Sequence, residues 1–402
     1  MFGVCKEVTI YVNARKNKDI MKTTLNKPIQ MVDLKSQYLK IQSEIDQSFR
    51  EVLTSCQFIK GPKVRSFEQN LASYLGVQEV ISCANGTDAL QLAMMALDLQ
   101  PGDEVIVPAF TYVATAEVIA LLKLKPVMVD VDINDFNTTA SYISKAITNK
   151  TKAIVPVHLF GQSAPMESIV SLAKAHGLYV IEDNAQAIGA DYTLENGRQQ
   201  KVGTLGDIGC TSFFPSKNLG CYGDGGALFT NNEKLAAKIR SIANHGQSKR
   251  YHHQFIGVNS RLDALQAAVL DIKLKYLDQY NAARQKVANA YDEAFKDIPQ
   301  LKTPFRSAHS THIFHQYTLQ ATDFDRNDLI QYLQEKGIPA MIYYPIPLYQ
   351  QVAFAPYASK KLALPNTEKL CQSVFSLPIH TEMDAETQTY IIEGVRSYFK
   401  KA

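Results

Sequence analysis

No uncharged apolar run in the 402-residue chain is long enough for a membrane-spanning helix, which takes about 18 such residues or more. No secretory leader is expected at the N-terminus, because Lys6 and Glu7 interrupt the first apolar residues. Cysteine is sparse and scattered: Cys5, Cys56, Cys83, Cys210, Cys221 and Cys371 form no C-x-x-C pair. That excludes a disulfide scaffold and the usual zinc spacings, and it points to a reduced, cytoplasmic setting. The sequons at Asn137 and Asn149 then carry no weight. Net charge is nearly absent, with 42 Lys+Arg against 39 Asp+Glu, so bulk electrostatics favours neither nucleic acid nor an anionic membrane. No glycine-rich run ends in Gly-Lys-Ser/Thr, and the first β-α turn is not G-x-G-x-x-G, which argues against a P-loop or a dinucleotide oxidoreductase. His309, His312 and His315 are evenly spaced, but no Cys or carboxylate completes a metal set, so no metal is expected. Asp323, Asp325 and Asp328 lack the glycine and terminal Glu of a calcium loop and read as helix capping.

What is present is an ordinary globular composition, 46% hydrophobic and 20% charged, in a chain long enough for two or three domains. Residues 1–30 are basic and aperiodic and read as an appended or disordered tail. Ile41, Ile45, Phe49 and Val52 recur at helical spacing, and a second helix follows Gly61-Pro62. Then short apolar runs begin at Val80, Glu104, Pro126, Ala153 and Tyr179, with helix-like segments between them. The rhythm is that of β-α-β crossovers, and strands apolar throughout are buried on both faces. The expected architecture is therefore α/β, with a mostly parallel sheet in a large domain of residues 31–280. A long helical pattern runs from Ser260 to about Ile298, and beyond it residues 281–402 read as a smaller α+β domain.

Ligands of parallel sheets sit beyond the carboxyl ends of the strands. Four features fall there. Ala84-Asn85-Gly86-Thr87-Asp88 is a small-residue turn opening a helix, suited to phosphate. Phe110-Thr111-Tyr112 offers an aromatic face to a planar ring. Glu182-Asp183-Asn184-Ala185-Gln186 puts a carboxylate at the end of a buried strand, where it needs a partner such as a pyridinium nitrogen. Ser212-Phe213-Phe214-Pro215-Ser216-Lys217 precedes Gly220 and Gly223-Asp224-Gly225-Gly226. A lysine in that setting can be desolvated and take an aldehyde covalently. In order along one sheet, the four describe a pocket for pyridoxal 5′-phosphate.

These motifs resemble the sugar-nucleotide aminotransferases of the DegT/DnrJ/EryC1/StrS group, over roughly residues 31–400. The runs Phe213-Phe214-Pro215-Ser216-Lys217, Cys221–Gly226, His245-Gly246-Gln247 and Arg250-Tyr251-His252-His253 are most similar to UDP-2-acetamido-2-deoxy-ribo-hexuluronate aminotransferases of O-antigen synthesis. The resemblance implies the transferase fold of type I. It implies that Lys217 holds the cofactor and shuttles a proton, Asp183 pairs with the ring nitrogen, Gln186 contacts the ring hydroxyl and Tyr112 stacks. Gly86, Thr87, Asp88 and Ser212 would hold the phosphate, with Asn259 reaching in from the other subunit of a homodimer. Arg261, Lys249, Arg250, Tyr251 and His252 are implied in substrate binding, as are Tyr343 and Tyr344, where relatives tend to carry His-Tyr. The implied reaction uses L-glutamate to aminate a UDP-linked 3-keto-2-acetamido-hexuronic acid. The alternatives are a dTDP- or UDP-linked 3- or 4-keto-6-deoxyhexose, or a non-catalytic regulatory protein. The last would be expected to have lost Lys217 or Asp183.

Overall fold

Parallel neighbours need a crossover connection of about a dozen residues or more, whereas antiparallel neighbours can be joined by a chain that folds straight back. That rule accounts for the central sheet in the computed structural model, which describes residues 27–359 and 362–400. The 7-stranded sheet has the spatial order Glu79–Cys83, Gly226–Thr230, Ile208–Ser212, Tyr179–Asp183, Thr151–Ile154, Glu104–Pro108, Lys125–Val129. The last five in that order are mutually parallel. Gly226–Thr230 runs antiparallel to both of its neighbours, with Ser212 opposite Gly226. The chain folds straight back after Ser212 without a helix, and the loop carrying Lys217 stays at the carboxyl end. Most of these strands are buried along their length, as an α/β sheet covered on both faces requires.

The first two helices are Leu34–Ser55 and Pro62–Leu75. Asp33 caps the first through a hydrogen bond from the Ser36 N–H, and Pro62 opens the second at a position where its missing N–H is harmless. The expected long helix is instead two, Ala264–Leu274 and Leu277–Phe295. No Gly or Pro marks the break. It lets Leu274 and Leu277 both remain in the core beside the central sheet, while Val287, Tyr291 and Phe295 enter a second core. That second core surrounds a 3-stranded sheet of Leu301–Lys302, Tyr317–Ala321 and Val374–Leu377. The helix Arg326–Glu335 is capped by Asp325, which accepts from the Asn327 N–H.

Packing divides the chain less simply than one cut at residue 280. Leu348, Tyr349, Phe354 and Leu364 pack in the cluster that contains Ile81, Val105 and Ile181 of the large sheet. Residues 1–26, most of the expected tail, lie outside the described residues. Of the remainder, Ile29 packs against the second core and Lys27 pairs with Asp384, so the ordered body begins before residue 31.

His312 is buried, with Nδ1 accepting from the Phe314 N–H at 3.0 Å and its ring stacked on Phe314. Burial, and secondarily the charge of Arg306, pushes its pKa down to about 3. The unfolded chain therefore binds a proton at this site below about pH 6.5 that the folded chain refuses. The resulting stability is whole above that pH and is lost as pH falls toward 3. At pH 5 the loss from this residue is about 2 kcal/mol. His312→Asn keeps an acceptor but cannot titrate. Urea unfolding at pH 7 and pH 5 should show a smaller acid loss in the variant by that amount, and equal losses would contradict the assignment.

Candidate active site

Asn85 caps the helix Gly86–Ala96 through a hydrogen bond from the Asp88 N–H to its side-chain oxygen, 2.8 Å. The N–H groups of Gly86 and Thr87 have no partner within that helix and face outward from its positive end. Gly86 is required by close approach: a Cβ there would lie 2.6 Å from the Ser212 Cβ. The turn and the end of the Ile208–Ser212 strand are thus in contact, and Ser212 Oγ accepts only a 3.3 Å bond from the Phe214 N–H.

Strand alternation separates two neighbouring carboxylates. Glu182 is fully buried and accepts from His158 and from the N–H groups of Gly203, Leu205 and Gly206. His158 Nδ1 accepts from the Ala164 N–H, so its Nε2 carries the proton given to Glu182. Glu182 is therefore saturated by structural donors. Asp183, also buried, accepts from Thr115 Oγ1 at 2.8 Å and from the Ala185 N–H at 3.1 Å, both near its own strand end. A buried carboxylate with only these two neutral donors can still take a cationic N–H.

Lys217 lies opposite in a tight turn. Its N–H donates to Phe214 O, and the Cys221 N–H donates to Phe213 O. Asn218, the next residue, donates to Asn281 and to Ile313 O. Burial pushes the Lys217 amine down to about 8, opposed by the negative charge of Asp183. His315 is buried in the same electrostatic neighbourhood and is held neutral, well below the usual histidine range, by burial and by the charges of Lys217 and Arg284.

Gln186 accepts from the Phe160 N–H and donates to the Tyr344 hydroxyl at 3.1 Å. Burial, more than any neighbouring charge, raises the Tyr344 phenol pKa. Tyr112 is 58% exposed at the rim, 6.3 Å from the Tyr344 ring, with a face open to a planar ligand. Tyr343 packs beside Tyr344.

The other expected residues are elsewhere in the chain. Asn259 is exposed and bridges to Asn244. Arg261 donates to Asn244 and lines a cavity of about 300 Å³ with Lys60, Arg65, Glu68 and Arg240. Lys249, Arg250, Tyr251 and His252 stand on an exposed hairpin, Gln247–Lys249 with His252–His253. Among the described residues, no hydrogen bond joins this second set to the Lys217–Asp183 group. Thr115, His315 and Lys273 were not anticipated. Thr115 has no sequence signal beyond following Tyr112 at a helix start. Lys273 did have one, as a cation in a helix whose other residues are mostly apolar.

A cofactor bearing an aldehyde, a ring nitrogen and a phosphate fits these groups. The Gly86 cradle would be filled by any Cβ, Asp183 retains room for a cationic donor, and the Lys217 amine, lowered to about 8, is about one-tenth uncharged at neutral pH.

Comparison with known proteins agrees. Residues 39–396 match the model of the DegT/DnrJ/EryC1/StrS aminotransferase family. The chain is 47% identical over 357 residues to the UDP-2-acetamido-2-deoxy-3-oxo-D-glucuronate aminotransferase of Pseudomonas aeruginosa, covering 89% of this chain and 96% of that one. It is 44% identical over 373 residues to the UDP-N-acetyl-3-dehydro-alpha-D-glucosamine 3-aminotransferase of Acidithiobacillus ferrooxidans, covering 93% and 98%. The crystal structure of NtdA from Bacillus subtilis with bound cofactor PMP superposes with a TM-score of 0.86 at 31% identity, covering 94% of this chain and 87% of that one. Its type I, mostly parallel α/β architecture is therefore shared with solved relatives, and the chain belongs to the DegT/DnrJ/EryC1/StrS aminotransferase family.

Proposed function

We propose that this protein transfers an amino group from L-glutamate to C3 of a UDP-linked 3-keto-2-acetamido sugar, using pyridoxal 5′-phosphate, in the supply of amino sugars for surface polysaccharide. The observation that carries the reading is the partly uncharged Lys217 amine within the field of buried Asp183, at the carboxyl edge of the parallel sheet. Bound there, the cofactor supplies an electron-poor ring that stabilises negative charge at the carbon being aminated.

The remaining chemistry belongs to the chain. Lys217 Nζ is the nucleophile for the aldehyde and, when released, moves the proton to or from the substrate carbon. Asp183, steadied by Thr115, holds a proton on the ring nitrogen through a charge-assisted bond. The free N–H groups at Gly86 and Thr87, with Ser212 Oγ, would bind the phosphate, in a turn whose Asp88 N–H is held by the Asn85 cap. Tyr112 covers the ring, while Gln186 and Tyr344 close its edge against water.

Both UDP-sugar relatives are named for amination of a 3-keto position, one with and one without a uronic acid. The hexuronic acid remains our preferred substrate, with Tyr343 in the position where His is common. Arg261, Lys249, Arg250, Tyr251 and His252, with Asn259, complete the site across a homodimer. Supporting that, Tyr251, Phe255 and Ile256 are all exposed in the stretch from the cationic hairpin to Asn259, apolar surface suited to a second copy. Purified protein with pyridoxal 5′-phosphate and L-glutamate should convert the UDP-3-keto sugar to its amine and release 2-oxoglutarate, read by mass spectrometry. Amination of only dTDP-linked 6-deoxyhexoses would overturn the substrate, and no amination of any sugar in the panel would overturn the function.

A further inference from the structure

A lysine has no ordinary reason to be fully buried on the packed face of a helix. Lys273 is 1% exposed on the helix Ala264–Leu274, among Leu270, Ile272 and Leu274. No carboxylate pairs with it among the described residues. Its Nζ instead donates to Gly220 O at 2.6 Å and lies 5.4 Å from the centre of the Tyr222 ring. Desolvating an ammonium is costly, so a fixed acceptor and an aromatic face are the least that would keep it there.

The acceptor's position is informative. Gly220 closes the turn that carries Lys217, and a Cβ on it would lie 2.3 Å from Pro215 O. The two ends of the turn are therefore in contact, and whatever holds the Gly220 carbonyl fixes the base from which Lys217 projects. One helical repeat of seven residues earlier, on the same face, Gln266 makes a second grip. Its Oε1 accepts from the Tyr222 N–H at 2.8 Å and its Nε2 donates to Tyr222 O at 3.2 Å. Gly223 passes close to this amide, since a Cβ there would lie 3.0 Å from Gln266 Nε2. Two side chains of one helix thus hold three backbone polar groups in the stretch from Gly220 to Tyr222. The same helix follows directly from Asn259–Arg261 in sequence.

We infer that Lys273, with Gln266, is a positioning residue: the helix Ala264–Leu274 is a strut that fixes the Lys217 turn through Gly220 O and the Tyr222 backbone. The inference deepens the reading of Lys217 given above and rests on it for its catalytic consequence. Proton movement at carbon depends on where Nζ stands, and a displacement of about 1 Å in a reacting group can lower rate on the order of 10²-fold. Sugar binding, which uses other groups, should be spared.

The decisive variants are Lys273→Met, which keeps length without the donor, and Gln266→Ala. In each holoenzyme kcat should fall at least tenfold while KM for the keto sugar stays within twofold, and Lys273→Arg should recover most of the loss. Amide hydrogen exchange, measured without cofactor or substrate, should accelerate at least tenfold across residues 217–223 and remain unchanged in the strand Tyr179–Asp183. Wild-type kcat and wild-type exchange in both variants would overturn the strut. So would exchange that accelerates evenly through the chain, loss of the fold in Lys273→Met with an unaltered Gln266→Ala, or an equal loss in Lys273→Arg. If the wild-type protein aminates no sugar, the functional reading fails, while the exchange data still decide whether this helix fixes the turn.

Discussion

Lys217→Ala protein, mixed with pyridoxal 5′-phosphate, is expected to show none of the visible absorbance of a covalently held cofactor, and its transamination rate should fall at least ~10³-fold. The size follows from the double duty of one amine. It is the only nucleophile proposed for the aldehyde, and it is the group proposed to move the proton. An ordinary lysine, with a pKa of about 10.4, would be almost wholly protonated at neutral pH and inert in the first role. Burial lowers Lys217 to about 8, so a useful fraction is uncharged at neutral pH and most of it above that value. The rate at which wild-type apoprotein captures the aldehyde should accordingly rise with pH through about 8 and then level off. Alanine at this position removes a half-buried side chain and leaves the backbone bonds of the turn in place, so the fold should survive. Retention of both absorbance and turnover in the variant would sink the assignment of Lys217.

Asp183→Asn should give a folded protein with a kcat lower by ~10²-fold, equivalent to roughly 3 kcal/mol of transition-state stabilisation. The substitution is nearly isosteric. An Asn oxygen can still accept from the Ala185 N–H, and the Thr115 hydroxyl can rotate to accept from the new amide. What disappears is the negative charge that would hold a proton on the ring nitrogen. Cofactor capture depends on Lys217 and the phosphate turn, so it should persist. A variant that captures cofactor but turns over slowly is the expected signature, and wild-type turnover would remove Asp183 from the proposed chemistry. Glu182 is the internal contrast. It sits one residue away on the opposite face with four hydrogen-bond donors, and Glu182→Gln should act through stability, because its amide would meet N–H groups that need an acceptor.

Parts of the site are legible in the sequence because their chemistry is local. Asn85-Gly86-Thr87-Asp88 is a strand-to-helix turn with its cap built in, and Gly86 is exactly tight enough against Ser212 to admit no side chain. Asp183 ends an apolar run that has to be a buried strand. Lys217 sits between an aromatic run and glycines whose closeness the fold then explains. The partners they meet were illegible for an equally physical reason: Thr115 reaches Asp183 from 68 positions away in the chain, and Lys273 reaches Gly220 from 53. Nothing in the local pattern at Lys275-Tyr276 marks the break between two helices, since it is set by which core each helix must enter.

By itself, then, the amino-acid sequence determined the repeating crossovers and the carboxyl edge where the proposed nucleophile, carboxylate and phosphate turn gather, because periodicity and turn chemistry act over a few residues. Tertiary structure alone decided that the strand after the lysine turns back antiparallel into the sheet, that Asp183 and not Glu182 keeps capacity for a ligand, and that a buried lysine from a distant helix grips the turn. Those outcomes depend on which surfaces pack and which polar groups are left to be satisfied, and both are properties of the whole assembled chain.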